Sequence, residues 1–167
     1  MLIVMGGLPG TGKTTLARLL AARIGAVHLR VDTIEQAIVR SGPARHPVGP
    51  VGYAVGYALA EEHLRQGLTV IAESVNPLSV TRDAWRDTAD EAGVPVVEVE
   101  VVCSDPAEHR RRVTSRSVDI PGLPLPDWQQ VVGREYEPWD RERVVVDTAG
   151  QSPRQSLALL LRALPPG

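Results

Sequence analysis

The segment Gly7-Leu8-Pro9-Gly10-Thr11-Gly12-Lys13-Thr14 has the spacing GxxxxGK[ST], the pattern of a loop that cradles phosphate. Its glycines let successive backbone N–H groups turn inward, and a helix opening near Lys13 adds the positive end of its dipole. Lys13 is expected to bridge the β- and γ-phosphates of a bound nucleoside triphosphate, and Thr14 to offer its hydroxyl to Mg²⁺. Of the 18 Lys and Arg residues only Lys13 is lysine, Asn76 is the only asparagine, and phenylalanine is absent. A lysine kept in such a composition points to a need for a compact charge on a thin stem, which the broad guanidinium fork does not supply. The chain has no NKxD guanine signature and no second lysine to build one, so ATP is favoured over GTP.

Other reactive groups lie where strands are expected to end. In an open parallel sheet ligands bind beyond the carboxyl ends of the strands, and Asp32 closes the apolar run Ala26 to Val31. A carboxylate there can take the proton of an attacking hydroxyl or hold it in line with the γ-phosphate; the alternative is a helix N-cap. Glu73 ends the run Leu68 to Ala72 and could orient a magnesium-bound water or contact substrate, against the alternative of a satisfied strand-end acid. Asn76, just before Pro77, is either a substrate contact or a turn residue. Arg112 and Arg116 are four apart and share a helical face, where they could bring positive charge to the transferring phosphoryl group, or simply form a solvated basic face. Tyr53 and Tyr57, also four apart and interleaved with Gly52 and Gly56, suggest either a pocket wall or close packing at a core edge. His109 reads as a surface residue, and the four histidines lack metal-site spacing. The turn at Thr148 could contact the nucleotide base.

Short apolar runs alternate with helical patterns throughout, which predicts an α/β fold with a parallel sheet and crossover helices. Strands are expected at Leu2 to Met5, Ala26 to Val31, Leu68 to Ala72, Val94 to Val102 and Arg143 to Asp147. Helices are expected from Lys13 to Ile24, with Leu16, Leu19, Leu20 and Ile24 on one face and Gly25 as stop, and from Asp32 to Arg40, capped by Asp32 or Thr33 and stopped by Ser41-Gly42-Pro43. Residues 50 to 66 follow, with Val51, Val55, Ala58 and Leu59 on one side. Further helices are expected at Ser79 to Ala92, Pro106 to Arg116, Asp127 to Glu137 and Pro153 to Leu164. The proline-rich stretch Asp119 to Pro126 is expected to be irregular and, with its flanks over residues 105–139, to form a lid and substrate region. Trp128, Tyr136 and Trp139 flank this lid and are expected to pack rather than stack on a ligand.

With 167 residues and 43% hydrophobic content, the chain fits one domain spanning residues 1–167. A net charge of −2 and the absence of an aromatic-basic stripe argue against nucleic acid as partner, although Arg110-Arg111-Arg112 is a local basic run. Cys103 lies in an apparent buried strand and is the only cysteine, which fits a reducing cytoplasm. No segment resembles a signal peptide or membrane span, so a soluble, cytoplasmic protein is expected. Nothing in the sequence speaks to oligomeric state.

The glycine loop, Asp32, Glu73, Arg82, Trp85 and the arginine helix with its lid make the chain resemble a small P-loop kinase of the AAA_33-type group, among whose relatives are chloramphenicol phosphotransferase, gluconate and shikimate kinases and polynucleotide 5'-kinase. The resemblance implies a three-layer P-loop NTPase fold with a five-stranded parallel sheet, an acid at Asp32 acting as base or hydroxyl anchor, lid arginines at Arg112 and Arg116, and an α-phosphate contact from Thr15. Glu35 stands where many relatives have a substrate-holding arginine, and Glu73 where they often have Asp. The acceptor implied is a small molecule, and one bearing an amine or several hydroxyls is compatible with the extra acids. The expected activity is ATP- and Mg²⁺-dependent phosphorylation of a hydroxyl on a sugar, nucleoside or antibiotic. Alternatives are a polynucleotide or tRNA-linked 5'-hydroxyl kinase and a nucleotide-binding switch without transferase activity.

Overall fold

Five strands and seven helices alternate along the computed structural model, which describes residues 1–42 and 44–165. The strands are β1 (Leu2–Gly6), β2 (Val27–Arg30), β3 (Val70–Glu73), β4 (Val96–Val102) and β5 (Val144–Asp147). The helices are α1 (Lys13–Ile24), α2 (Val31–Arg40), α3 (Val51–Arg65), α4 (Ser79–Glu91), α5 (Pro106–Ser115), α6 (Trp128–Val132) and α7 (Pro153–Ala163). The strands form one parallel sheet in the order β2-β3-β1-β4-β5. β1 and β3 are buried along their whole length, which explains why they read as unbroken apolar runs: helices cover both faces.

One core layer joins Ile3, Met5, Ile71 and Val99 to Leu16 and Leu20 of α1 and Leu160 of α7. The other joins Leu2, Val4, Val70 and Ala72 to Val31, Ala60, Leu64 and Trp85 from α2, α3 and α4. Alternate residues of each strand therefore serve opposite layers. Among the described residues, no helix is long and apolar enough to cross a membrane.

Several local expectations shift by a residue or more. β2 stops at Arg30, so Val31 and Asp32 already belong to α2, and the N-cap position falls to Arg30 with no side-chain cap. Neither Asp32 nor Thr33 caps this helix. Pro43, expected to help stop α2, lies outside the described residues. Ile24 is 38% exposed, because Gly25 ends α1 before its last turn meets the sheet. α6 is only five residues long, capped by Asp127 and Gln130 and ended by Gly133. Cys103 lies just past β4 and is half-buried.

α3 shows the largest reversal. Val51, Val55 and Leu59 are exposed, and Gly52, Gly56, Ala60 and Leu64 face inward. The small residues let neighbours approach: a Cβ on Gly56 would lie 3.2 Å from the Trp85 ring, and one on Gly52 would lie 2.3 Å from Glu35 Cγ. Close approach of α2 and α4 thus outweighs the burial of three larger side chains, a choice that only the neighbouring helices could dictate.

Candidate active site

β1 ends at Gly6, and the chain turns through residues 7–12 before α1 begins at Lys13. Gly7, Gly10 and Gly12 all have positive φ, at 145°, 86° and 95°. Gly7 and Gly10 each also have a neighbour that leaves no room for a side chain. A Cβ on Gly7 would lie 2.3 Å from the Val101 carbonyl oxygen, and one on Gly10 would lie 2.6 Å from Val113 Cγ2. Gly7→Ala is therefore expected to destabilise the fold by about 2–4 kcal/mol, through backbone overlap and a disfavoured φ. Denaturant unfolding checks this, and wild-type stability would show that the loop tolerates a side chain there.

The N-terminus of α1 has no side-chain cap and no acidic residue in its first turn, unlike α6 and α7, which carry full capping boxes. Uncapped N–H groups at the mouth of a glycine turn are suited to bind an anion. Leu8 and Pro9 form the outer part of this turn. The Leu8 carbonyl accepts from the Thr11 hydroxyl at 2.9 Å, and the Pro9 carbonyl faces His109 Nε2 at 2.8 Å. A carbonyl only accepts, so His109 carries its proton on Nε2. His109 is 7% exposed and packs edge-on against Trp128, so it is a buried brace of the phosphate loop rather than the surface residue its sequence context suggested.

Lys13 is buried to 7% exposure. Burial pushes its ammonium pKa down, and the charges of Glu73 and Asp32 offset that only in part. Glu73, the last residue of β3, is 1% exposed. Its Oε1 accepts from Thr14 Oγ1 at 2.5 Å and its Oε2 faces His28 Nε2 at 2.9 Å. Burial alone would raise the Glu73 carboxyl, but His28, Lys13, Thr14 and Arg30 together hold it below the usual carboxylate range. A hydroxyl and a carboxylate oxygen side by side are an oxygen donor pair of the kind Mg²⁺ uses, and they fit that ion completed by phosphate and water.

Lys13 and Thr14 line a cleft of about 1210 Å³, and Glu73 adjoins it through its bond to Thr14. Its floor includes Gly10, Gly12, Lys13, Thr14 and Thr15. One side presents Asp32 and Glu35, the other Thr148, and residues Ser117 to Pro126 contribute the rim. Among the described residues, the Asp32 carboxylate has a single long partner, Arg30 Nη2 at 3.4 Å. Glu35 is half-buried one helical turn later, and burial together with the Asp32 charge pushes its carboxyl up to about 7. Arg116, at the end of α5, lines the same cleft; its Nε is buried and makes no hydrogen bond among the described residues. Burial lowers its pKa, while Asp32 and Asp119 raise it.

Arg112 is held differently from Arg116. It donates to Thr148 Oγ1 at 2.7 Å, to the Thr148 carbonyl at 2.9 Å and to Glu108 Oε1 at 2.7 Å, so it ties α5 to the turn after β5. The Thr148 hydroxyl has the Thr11 carbonyl at 2.7 Å as an acceptor, linking that turn to the phosphate loop. Tyr53, Tyr57 and Asn76 lie behind the cleft wall. The Tyr53 hydroxyl accepts from the Asn76 backbone N–H at 3.1 Å, and Tyr57 packs edge-on against Trp85 with centroids 4.5 Å apart. Asn76 is fully buried at φ 53°, and its side-chain amide makes no hydrogen bond among the described residues.

Arg82 carries no signal in the sequence beyond the family resemblance. Its guanidinium is fully buried and donates to four backbone carbonyls: Asn76 (3.2 Å), Pro77 (3.1 Å), Glu137 (2.8 Å) and Pro138 (3.1 Å). It also lies 4.2 Å from the centre of the Trp139 ring. This residue fixes the loop after β3 against the segment returning from α6. Tyr136 and Trp139 are accordingly packing residues here, as expected.

The sequence is 24% identical, over an alignment of 181 residues, to the "Probable adenylyl-sulfate kinase" of Aeropyrum pernix, covering 96% of this chain and 90% of that protein. The structure of Kti12 from Chaetomium thermophilum, in complex with ADP-AlF3, superposes with a TM-score of 0.70 at 23% identity, covering 99% of this chain and 100% of the other. The APS kinase of Mycobacterium tuberculosis, in complex with AMPPNP and APS, gives a TM-score of 0.69 at 15% identity, covering 96% and 95%. These likenesses establish a P-loop kinase fold. The AAA_33 family model, described as an AAA domain, matches residues 2–126, and the chain belongs to that family.

Proposed function

We propose that this protein is an ATP- and Mg²⁺-dependent phosphotransferase that moves the γ-phosphate onto a hydroxyl of a small molecule. The observation that carries this reading is that one cleft is lined by Lys13, Thr14, Asp32 and Arg116, whose Nε has no partner among the described residues. The phosphate loop holds the triphosphate through its backbone N–H groups and the Lys13 ammonium. Bound at Thr14 and Glu73, Mg²⁺ would neutralise charge on the β- and γ-oxygens. Asp32 takes the proton of the acceptor hydroxyl as its oxygen forms a bond to the γ-phosphorus, and the bond to the β–γ bridging oxygen breaks to release ADP. Arg116, with Lys13, offsets charge on the transferring phosphoryl group. The segment 117–126 acts as a lid that keeps competing water out.

The test is ADP release measured with a panel of acceptors: adenylyl sulfate, gluconate and other sugars, nucleosides, aminoglycosides and 5'-hydroxyl oligonucleotides. Stimulation by a small molecule supports the reading. Stimulation by oligonucleotides alone would redirect it to a polynucleotide substrate, and nucleotide binding with no stimulated release would leave a nucleotide switch. For the stimulating acceptor, Asp32→Asn is expected to lower turnover about 10²–10⁴-fold, the usual contribution of a general base. Unchanged turnover would remove Asp32 from the chemistry.

A further inference from the structure

Arg30 ends β2, and its side chain is only 13% exposed. Its guanidinium faces carboxylates from three parts of the chain. Nη1 donates to Asp119 Oδ2 at 2.7 Å, Nη2 donates to Asp32 Oδ2 at 3.4 Å, and Nε lies 3.8 Å from Glu73 Oε1. Arg18 of α1 gives Asp119 Oδ2 a second donor at 2.8 Å. Two residues on, the Pro121 carbonyl accepts from Arg40 at 2.6 Å. The lid segment is thus fastened to α1, to the end of β2 and to α2, with Asp119 as the charged link.

The distances have an order that matters. The short bond of Arg30 runs to the lid, and the long one runs to Asp32. A guanidinium has five donors in a rigid plane and can address several oxygens at once, but drawing it toward one acceptor moves it away from the others. With Asp119 docked, Arg30 is held off Asp32, leaving a carboxylate oxygen available to an acceptor hydroxyl. Without Asp119, the carboxylates within reach of the guanidinium are those of Asp32 and Glu73.

We propose that Arg30 is a positioning residue that couples closure of the lid, through Asp119, to the setting of Asp32 and Glu73 in the cleft. The part concerning Asp32 rests on the phosphotransferase reading; the part concerning the lid does not. Asp119 is partly exposed, so solvent screens this contact.

Hydrogen exchange of the backbone amides of residues 117–123, with and without Mg·ATP, reads the lid. Isothermal titration with Mg·ATP reads the cleft. Asp119→Asn, which also loses Arg18, and Arg30→Gln are each expected to speed lid exchange about tenfold, and the double variant to exceed Asp119→Asn by less than about twofold, because that change already breaks the Arg30 link. Arg30→Gln is also expected to weaken Mg·ATP binding about tenfold, since Asp32 and Glu73 then lose one of the cations, beside Lys13, that offset their repulsion of the triphosphate, and Asp119→Asn to weaken it less than about threefold. Arg30→Lys should recover part of one property but not both, because a point charge cannot span the lid and the carboxylates. Unchanged lid exchange in either single variant, additive exchange in the double variant, equal loss of affinity in both, or full recovery by lysine would each overturn the coupling. If these results hold while no acceptor stimulates ADP release, the coupling stands and the phosphotransferase reading fails.

Discussion

Lys13→Ala is expected to lower ATP turnover by about three orders of magnitude or more while leaving the melting temperature within about 3 °C of wild type. The ammonium is buried, and burial depresses its pKa, so without ligand it contributes little to the fold. A triphosphate supplies the negative charge that this buried cation lacks, which is why its loss falls on turnover rather than on stability. Lys13→Arg is expected to fail as well, because a broad fork must enter a turn whose glycines already sit against Val101 and Val113. Coupled ADP-release kinetics and thermal unfolding on the same preparations check both variants. Turnover within tenfold of wild type for either one would remove Lys13 from the phosphate site.

Arg82→Met carries the largest expected effect on stability, a loss of about 3–5 kcal/mol and a fall in melting temperature of about 10 °C or more. Arg82 is buried without a carboxylate partner among the described residues, and its charge is balanced by four carbonyl oxygens and the face of Trp139. Methionine fills part of the space but takes the donor from the Asn76, Glu137 and Pro138 carbonyls, while that of Pro77 keeps the Glu137 N–H at 2.8 Å. The damage should reach the cleft. The same loop carries Val75, whose carbonyl accepts from the Gly7 N–H at 3.1 Å, so a loosened loop disturbs the first turn of the phosphate site. Differential scanning calorimetry measures the first effect and Mg·ATP titration the second. A melting temperature unchanged from wild type would mean that the carbonyl cage is dispensable.

The glycine loop and its helix were legible in the sequence because their determinants are neighbours along the chain. Gly12, Lys13 and Gly25 start and stop α1 where their types predict, and the alternation of apolar runs with helical patterns identifies the parallel sheet. Glu73 was likewise placed at a strand end by the run that precedes it. What escaped were relations between distant residues. Thr14 meets Glu73 across 59 positions, Arg30 meets Asp119 across 89, and His109 meets Pro9 across 100.

Strand order decides the first of these, because β3 lies between β1 and β2 and brings Glu73 beside both the phosphate loop and His28. Helix packing decides α3, where Gly52 and Gly56 face inward so that α2 and α4 can approach. By itself, the sequence determined the glycine turn suited to phosphate and the type and order of the elements, since backbone conformation and side-chain period are short-range properties. Only the tertiary structure decided which carboxylate meets which cation, because a charge finds its partners through the space that packing leaves, and one-dimensional spacing carries no record of it.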